Sequence, residues 1–402
     1  GGSSVVTSIG HGNARVAAAM AQQAQTIAFS PAHCFANKPH VELCNMIAEI
    51  APPGMQHSFL LSGGSEATEN AIKFARQYEF ERNNRGKATL IGRWQGFHGN
   101  TFGAMTASGI TFRRQIYGPM LGHAVKIPPC YCYRCEWGRS YGACSLECAT
   151  ALRKAIRQEG PENVLAFIAE PVVGAALGAV PAVPEYFPLV RRYCDEADVL
   201  FIADEVMTGF GRTGASFGVN HWGVVPDIIA TAKGISGGYT PLAAVILRDR
   251  IMELLRAKHS NFRGGHTYCA NPLSARVGIE VLSIIHEQKL IENSRRMGER
   301  LLAGLRGLLE HPTVGDVRGK GLMAGVEFVR DKRTKEPFPK AYLFGKRLFE
   351  EAFARGLVVF PSSGTVDGVM GDHILLAPPL IITESQVDDL VAILGEAIGA
   401  VE

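Results

Sequence analysis

The sequence predicts an α/β protein with a mostly parallel sheet flanked by helices, followed by a smaller α+β domain at the C-terminus. From about residue 60 onward, short apolar runs rich in Val, Ile and Leu alternate with longer helical patterns. This alternation is typical of parallel βαβ units that are covered by helices. The predicted strands are residues 88–93, 164–170, 199–206, 227–232 and 242–248, with helical windows such as 146–157 and 186–195 between them.

The pattern changes beyond about residue 285, where a long amphipathic helix is predicted. Four apolar side chains share one face of it at helical spacing: Met297, Leu301, Leu305 and Leu308. The chain ends with a second predicted helix over residues 387–398. Thr383 and Gln386 have the spacing of a capping box at the start of that helix.

These patterns divide the chain into three parts. We expect a large domain over residues 31–285 and a small domain over residues 286–402. Residues 1–30 are expected to form an N-terminal segment that packs with the small domain. Because the chain opens on Gly1 and Gly2 without a start methionine or a signal peptide, we also expect this segment to be truncated.

The composition argues against two kinds of partner. Of the 402 residues, 47% are hydrophobic and 20% are charged, and a net charge of +3 gives little attraction to nucleic acid or to an anionic membrane. The longest apolar stretch, residues 172–183, is interrupted by Gly and Pro, whereas a membrane-spanning helix needs about 20 apolar residues.

The nine cysteines fit reduced thiols better than a secreted disulfide framework. We therefore expect a soluble, cytoplasmic protein.

Charged residues stand at the ends of two predicted strands. Residues 199–203 form an apolar run that ends in Asp204 and Glu205, and the strand 227–232 is followed by Lys233. Because open α/β sheets bind ligands at the carboxyl ends of their strands, we expect these charges to lie at a cleft. For each charge alone, the solvated start of a loop is the alternative.

A glycine-rich turn joins another apolar run to a helical pattern. Residues 59–61 are apolar, residues 62–65 read Ser-Gly-Gly-Ser, and residues 66–76 have helical character. The free N–H groups and the dipole at the start of such a helix bind anions. An ordinary capped turn is the alternative.

Together these features resemble the class III (ω-type) aminotransferases, which are pyridoxal 5′-phosphate (PLP) enzymes of fold type I. Eight blocks match the family in one order over essentially the whole chain: residues 62–73 (SGGSEATENAIK), 97–99 (FHG), 169–171 (AEP), 203–206 (ADEV), 209–214 (GFGRTG), 232–239 (AKGISGGY), 265–268 (GHTY) and 377–380 (APPL). The first block is similar to the family's phosphate-binding segment, and residues 232–239 are similar to its Schiff-base lysine block. The resemblance implies fold type I, a PLP-binding large domain and transaminase activity.

The resemblance also assigns roles to individual residues. It makes Lys233 the catalytic residue that carries PLP as a Schiff base and then moves the proton, and it places Asp204 at the pyridine nitrogen. The implied cofactor-binding residues are Gly64 and Ser65 at the phosphate, Phe97 and Val206 against the ring faces, and His98 and Glu170 around them. Without the resemblance, ordinary core packing would explain Phe97 and Val206, and a hydrogen-bonded wall of the site would explain His98.

Thr267 is implied to reach the PLP phosphate of the neighbouring subunit. The resemblance therefore implies a homodimer with shared active sites.

Departures from the family pattern concern the substrate. Met207 stands where the ornithine- and 4-aminobutyrate-type members carry glutamine, and Ala175 and Leu375 replace the Glu–Arg pair with which those members bind glutamate. Loss of both charges disfavours a glutamate/2-oxoglutarate pair. The resemblance then implies an amine or ω-amino donor and a small keto acid such as pyruvate as acceptor, in a ping-pong mechanism.

Three further residues bear on substrate binding. Ser4 and Val5 align with positions at which amine transaminases often have bulky pocket walls, so their small side chains suggest room for a long or bulky amine. Arg263, near Thr267, is a candidate for binding the carboxylate of the acceptor.

Five cysteines lie in an insertion that the wider family does not share: Cys130, Cys132, Cys135, Cys144 and Cys148. Unliganded thiols, a structural zinc site and a disulfide are the three alternatives. We expect no catalytic metal.

Two other functions remain open at this level. An aminomutase or racemase of the class III group would use the same fold and cofactor. A non-catalytic protein could also keep the fold, although Lys233, Asp204 and the glycine-rich turn are all retained.

Overall fold

The computed structural model describes residues 4–402 and contains thirteen β-strands in this part of the chain. They are β1 (His57–Leu61), β2 (Thr89–Arg93), β3 (Ala124–Ile127), β4 (Val164–Ala169), β5 (Val172–Val173), β6 (Val180–Pro181), β7 (Leu200–Asp204), β8 (Ile228–Thr231), β9 (Ala243–Leu247), β10 (Val314–Lys320), β11 (Met323–Phe328), β12 (Phe360–Val366) and β13 (Met370–Leu376).

The α-helices of the same region flank these strands. They are α1 (Ala14–Thr26), α2 (Lys38–Ile50), α3 (Gly64–Glu81), α4 (Phe102–Ala107), α5 (Thr111–Tyr117), α6 (Glu147–Glu159), α7 (Tyr186–Glu196), α8 (Asp249–Ala257), α9 (Pro272–Glu287), α10 (Leu290–Gly307), α11 (Phe344–Ala354) and α12 (Glu384–Val401). Within residues 4–402, no helix combines the length and the apolar character needed to span a bilayer.

A seven-stranded sheet forms the larger part of the fold, in the order β1-β9-β8-β7-β4-β2-β3. All five predicted strands are present, each slightly shorter than predicted. Every residue of β2, β4, β7, β8 and β9 is buried. Continuous burial explains why these strands are apolar runs and not alternating patterns, because helices cover both faces of the sheet.

One strand runs against the direction that the βαβ pattern predicts. The neighbours from β8 through β7, β4 and β2 to β3 are parallel, but β9 pairs antiparallel with both β8 and β1. Between β8 and β9 the chain contains only a short 3-10 turn, Lys233–Ile235. A parallel pairing would require a crossover connection, so the chain instead returns directly beside β8.

The C-terminal region forms a four-stranded antiparallel sheet, in the order β10-β11-β13-β12. The predicted amphipathic helix is α10, whose residues Met297, Leu301 and Leu305 are buried, whereas Leu308 follows on a short 3-10 turn. The capping box at the start of α12 is also present: Thr383 accepts from the N–H of Gln386, and the Gln386 side chain accepts from the N–H of Thr383.

Hydrogen bonds connect the two sheet regions around the carboxyl end of β7. The buried guanidinium of Arg212 donates to the carbonyl of Leu322 at 2.9 Å, and the N–H of Leu322 donates to the carbonyl of Arg212 at 3.1 Å. The N-terminal segment joins the same region, because Ser8 donates from Oγ to Gly234 at 3.0 Å and accepts from the N–H of Leu380 at 2.7 Å. The domain limits at residues 30 and 285 stay predictions.

Candidate active site

The carboxyl ends of β7 and β8 lie side by side and bring Asp204 and Lys233 to the same edge of the sheet. The two strands are parallel neighbours in which Asp204 is paired with Ala230, and Lys233 follows the end of β8. The charge of Asp204 raises the pKa of Lys233, against the larger effect of burial. The structure therefore brings the two predicted catalytic residues into one electrostatic environment.

Lys233 has an unusual backbone and an unusual acidity. Its φ angle of +50° lies in the left-handed region, which costs a non-glycine residue on the order of 1 kcal/mol. Burial lowers the pKa of its ammonium group to about 8, against the opposing effect of the Asp204 and Glu170 carboxylates. A lysine with such a pKa is neutral in a substantial fraction of molecules near pH 8, as a nucleophile or a general base must be.

Asp204 is held in place by His98. Oδ2 of Asp204 lies 2.7 Å from Nδ1 of His98, and Oδ1 accepts a hydrogen bond of 3.0 Å from the N–H of Val206. Both side chains are buried, and the N–H of His98 donates to Oγ of Ser108 at 2.8 Å. His98 thus lies beside the predicted site as a hydrogen-bonded wall that orients the carboxylate.

Glu205 does not lie at the cleft, contrary to the expectation from its position at the end of a strand. Its side chain is completely buried and accepts hydrogen bonds from the N–H groups of Gly218, at 2.7 Å, and Val219, at 2.8 Å. Burial raises its pKa to about 7. Successive side chains of a strand point to opposite faces, so only Asp204 of this pair can face the site.

The glycine-rich turn has the form of an anion site. Helix α3 begins at Gly64 and has no side-chain cap from Gly63, so the N–H groups of its first turn lack intrahelical partners. Ser65 is the second residue of α3, and its Oγ accepts a hydrogen bond of 3.0 Å from the N–H of Asn100. A Cβ added to Gly64 would collide with Val206, so the turn packs directly on the second residue after Asp204, where β7 ends.

Glu170 fixes the loop that carries Phe97. Oε1 of Glu170 accepts a hydrogen bond of 3.0 Å from the N–H of Phe97, and Oε2 accepts one of 2.8 Å from the N–H of Gly174. Burial raises the pKa of this carboxyl group. These contacts make Glu170 a positioning residue for two loops of the site.

A cavity of about 310 Å³ opens above Lys233. Residues singled out from the sequence line it together: Ser4, Val5, Phe97, Ala175, Met207, Lys233 and Leu375. The hairpin of β12 and β13, to which Leu375 belongs, also contributes Phe360, Pro361 and Gly364 to the lining. The cavity therefore lies between the large sheet and the small antiparallel sheet.

The small sheet also holds the loop on which Ala175 lies. His373 on β13 is within 3.0 Å of the carbonyl of Ala175 through Nε2, and burial lowers the pKa of His373 to about 3. Arg318 on β10 donates from Nε to the carbonyl of Gly178 at 2.9 Å. The sequence did not point to either residue, because both are separated from the loop by long stretches of chain.

Sequence reasoning also missed Arg113, which lines the cavity. Nothing in the sequence distinguishes it from its neighbour Arg114. Arg263, the predicted candidate for the acceptor carboxylate, is exposed and does not line the cavity. Thr267 is exposed as well and lies outside this cavity, so its role toward a neighbouring subunit stays a prediction.

The five clustered cysteines are all free thiols in the structure. Cys132, Cys135, Cys144 and Cys148 line one small cavity. Over residues 4–402, however, no group of three or more His, Cys, Asp or Glu side chains is arranged to hold a metal ion.

This fold and this arrangement of lysine, aspartate and anion-binding turn define a PLP-dependent enzyme of fold type I. Residues 1–398 match the family model for the aminotransferases of class III, so the chain belongs to the class III aminotransferases. It is an enzyme that transfers amino groups, with PLP as its cofactor.

Known proteins similar to this chain have related activities. It is 37% identical to a putrescine–pyruvate aminotransferase from Pseudomonas aeruginosa, over 89% of this chain and 76% of that protein. It is 35% identical to an adenosylmethionine-8-amino-7-oxononanoate aminotransferase from Geobacter sulfurreducens, over 98% of this chain and 85% of that protein. A solved structure of a PLP-bound amine transaminase from an uncultivated Pseudomonas species matches with a TM-score of 0.94 at 33% identity, over 100% of this chain and 90% of that one.

The residues of the site fit PLP. The uncapped start of α3, approached closely by Val206, suits the phosphate, because glycine at position 64 leaves the backbone open. The buried carboxylate of Asp204, which is oriented by His98, suits a protonated pyridine nitrogen. Lys233, whose pKa is lowered to about 8, suits the aldehyde.

Proposed function

We propose that this class III aminotransferase transfers an amino group from an amine or ω-amino compound to a small keto acid such as pyruvate. The transfer would follow a ping-pong mechanism through a Schiff base on Lys233. The observation that carries the proposal is the lining of the cavity at Lys233, where Ala175, Met207 and Leu375 form an apolar wall. Among residues 4–402, no Asp or Glu lines this cavity.

The apolar wall favours an acceptor with one carboxylate. A dicarboxylate such as 2-oxoglutarate would bring a second charge into this cavity, where Ala175, Met207 and Leu375 offer no partner of opposite sign. Burying an unpaired charge is strongly unfavourable. The name of the putrescine–pyruvate relative, which pairs a diamine with pyruvate, agrees with this choice of substrates.

Four kinds of contact would hold the cofactor. Asp204 would hold the pyridine nitrogen and Lys233 the aldehyde carbon, while the start of α3 at Gly64 and Ser65 would hold the phosphate. Phe97 and Val206 would face the two sides of the ring. When bound, PLP supplies an electron-withdrawing ring that stabilises negative charge at the substrate carbon.

Lys233 would perform the proton transfer. As a free amine, its Nζ atom would remove the proton from the substrate carbon that bears the amino group and would deliver it to the carbon on the other side of the transferred nitrogen. The lowered pKa of about 8 keeps a fraction of this amine neutral for the first step. The strained φ of +50° holds the side chain above the carboxyl ends of β7 and β8.

The space around the cavity supports a long amine donor. A second, mostly apolar cavity of about 690 Å³ adjoins the first one, and the two share Ser4, Val5, Phe360, Pro361 and Leu375 as lining residues. A long hydrocarbon chain could pass from one cavity to the other, because Ser4 and Val5 present only small side chains at the boundary. A bulky residue there would separate the two cavities.

A homodimer is part of the proposal. Tyr268, next to Thr267, is 63% exposed in the single chain, and Phe35 is 64% exposed. Tyr268 also contacts Phe29, itself 42% exposed, with ring centroids 6.0 Å apart. Exposed aromatic groups of this kind mark protein interfaces, and a second copy of the chain would bring Thr267 to its phosphate.

The decisive experiment is a donor–acceptor assay of the PLP-loaded protein. Linear amines and diamines of increasing length would be supplied with either pyruvate or 2-oxoglutarate, and consumption of the keto acid would be measured. We expect turnover of long amines with pyruvate and much weaker turnover with 2-oxoglutarate. Preference for 2-oxoglutarate, or isomerisation of the amine without an acceptor, would contradict the proposal.

Substitution of the lysine provides the control for chemistry at the site. Lys233→Ala should abolish turnover and also the visible absorbance that borohydride removes from the wild type. Lys258→Ala, at an exposed position just after the end of α8, should change neither. Retention of turnover in Lys233→Ala would exclude the Schiff-base role.

A further inference from the structure

The guanidinium of Arg113, on α5, lies in the same cavity as Lys233. Its central carbon is 4.7 Å from the ring centroid of Phe97 and 5.5 Å from that of Phe112. Contact with two aromatic rings restricts the orientation of the planar guanidinium without consuming its N–H donors. The two aromatic rings therefore fix the Arg113 side chain in the cavity, in contrast to a mobile surface side chain.

The donors of Arg113 are only partly used. Its one hydrogen-bonding partner among residues 4–402 is the neutral amide oxygen of Asn100, and its buried Nε has none. Arg114, the next residue, differs in this respect. Its Nη1 donates to the carbonyl groups of Met105 at 3.1 Å and of Ser108 at 3.1 Å, as a structural arginine does.

The charge of Arg113 is also uncompensated. Within residues 4–402 it forms no ion pair, and no carboxylate lines its cavity. Arg113 and Lys233 are the two cationic residues of the lining. A half-buried cation with a free donor in a site without acidic groups favours an anionic ligand.

We propose that Arg113 binds the carboxylate of the keto-acid acceptor. This inference rests on the proposed function, which it deepens by naming the residue that selects a monocarboxylate. With Lys233 committed to the reaction centre, Arg113 is the one cation that remains for a carboxylate among the described residues of the lining, and the other residues there are apolar or neutral polar. The carboxylate-binding arginine thus comes from α5 and not from the position of Leu375 in β13.

An anionic oxygen could also come from the phosphate of PLP. Asn100, which accepts from Arg113, donates through its N–H to Oγ of Ser65 near the start of α3. A carboxylate and a phosphate would bind the guanidinium by the same charge-assisted hydrogen bonds. The experiment therefore measures cofactor affinity and acceptor affinity separately.

The test compares Arg113→Gln and Arg113→Lys with the wild type. In Arg113→Gln we expect the KM for pyruvate to rise by roughly 10- to 100-fold, as for loss of hydrogen bonds to a charged group. The KM of Arg113→Lys for pyruvate should lie between those of the wild type and Arg113→Gln, because lysine keeps the positive charge but cannot donate two parallel hydrogen bonds to a carboxylate. Arg256→Gln, at an exposed position on α8, is the matched control and should leave the KM unchanged.

Two other readings complete the test. The first is the change in visible absorbance when an amine without a second charged group is added in the absence of any keto acid. This change should be the same in the wild type and in Arg113→Gln. The second is the Kd of PLP, measured by fluorescence quenching of the apoenzyme, which should also be unchanged. A carboxylate without a keto group, such as propionate, should raise the melting temperature of the wild type and not that of Arg113→Gln.

The outcomes separate the two proposals. If the wild type shows no absorbance change with any amine, the proposed function fails. If it does, and Arg113→Gln keeps the wild-type KM for pyruvate, the inference about Arg113 fails alone. A weaker Kd for PLP with an unchanged KM for pyruvate would assign Arg113 to the phosphate and overturn the inference as well.

Discussion

Gly64 packs so closely against Val206 that a Cβ at position 64 would lie 2.9 Å from Cγ1 of Val206 and 3.1 Å from Cγ2. The first residue of α3 and the second residue after Asp204 are therefore in direct contact. This contact sets the distance between the anion-binding turn and the strand end that carries the carboxylate. The two halves of the proposed PLP site depend on it.

Substitution of this glycine should weaken cofactor binding. In Gly64→Ala the new methyl group collides with a β-branched side chain that has little rotamer freedom, so the turn must move. We expect the Kd for PLP to rise by roughly tenfold, as for about 1.4 kcal/mol. Val206→Ala in the same chain should recover part of the loss. Gly63→Ala is the control, since a Cβ there meets nothing within 4 Å, and it should bind PLP normally.

Removal of the charge at Asp204 should impair catalysis more than folding. Asp204→Asn keeps the size of the side chain and a partner for His98, but it removes the negative charge from beside the pyridine nitrogen. We expect kcat to fall by roughly 100- to 1,000-fold, the range seen when an electrostatic group of a site is lost. Asp195→Asn, with 58% of the Asp195 side chain exposed on α7, should have wild-type kcat. Wild-type kcat in Asp204→Asn would remove Asp204 from the mechanism.

The pH dependence of cofactor attachment should report the acidity of Lys233. Only the neutral amine can attack the aldehyde, so the rate at which apoenzyme binds PLP covalently should rise with pH and level off above about 8, the lowered pKa. Because the Asp204 carboxylate raises the Lys233 pKa, Asp204→Asn should move this midpoint to lower pH. Stopped-flow absorbance measures the rate against pH, and so gives the midpoint for the wild type and for Asp204→Asn. A midpoint near the ordinary lysine pKa of 10.5 would contradict the effect of burial.

The same pKa makes a prediction about stability. The Lys233 pKa is about 8 in the folded protein and 10.5 as its ordinary value, so the unfolded chain binds more protons between these limits and stability rises with pH across them. Lys233→Met removes the penalty of burying the charge. We expect the apoprotein variant to be more stable by about 1–3 kcal/mol at pH 7, with the advantage lost above pH 10.5. Urea unfolding at pH 7 and pH 10.5 measures the difference in the free energy of unfolding between Lys233→Met and the wild type. Equal stability of the two proteins at pH 7 would show that the charge is not buried.

Thr267 offers a test of the shared active site. Because its side chain is exposed in the single chain, Thr267→Ala should leave the monomer fold intact. If it donates to the phosphate of the partner subunit, the Kd for PLP should rise about tenfold, as for one hydrogen bond to a charged group. Light scattering would check that the variant has the same oligomeric state as the wild type. Unchanged PLP affinity would place Thr267 outside the site.

Much of the fold could be predicted because short sequence patterns determine where several of its strands and helices lie. The buried strands of the large sheet are uninterrupted apolar runs, the face of α10 repeats at helical spacing, and the capping box of α12 depends on two residues three positions apart. The direction of β9 could not be predicted in this way. It follows from the absence of a helix between β8 and β9, and short apolar runs look alike in parallel and antiparallel pairs.

The candidate site was predictable where it is built from strand ends and one turn. Asp204, Lys233 and Gly64 each stand at a change from an apolar run to polar or glycine residues, and this change is visible in the sequence. Glu205 stands beside Asp204 and was expected at the same cleft, yet it is buried among the N–H groups of Gly218 and Val219. Which of two adjacent carboxylates lies on the side of Lys233 depends on the pleat and on the packing of a distant turn.

The sequence alone determined the α/β class, the positions of five strands of the large sheet and of several helices, and the residues that place a lysine, an aspartate and a glycine-rich turn at the edge of that sheet. These features depend on neighbours in the chain, and hydrophobic periodicity records them directly. Only the tertiary structure decided that Arg113 enters the cavity of Lys233 and that Arg263 does not. The packing of α5 between Phe97 and the β12–β13 hairpin directs that guanidinium, and contacts between residues far apart in the chain leave no local pattern to read.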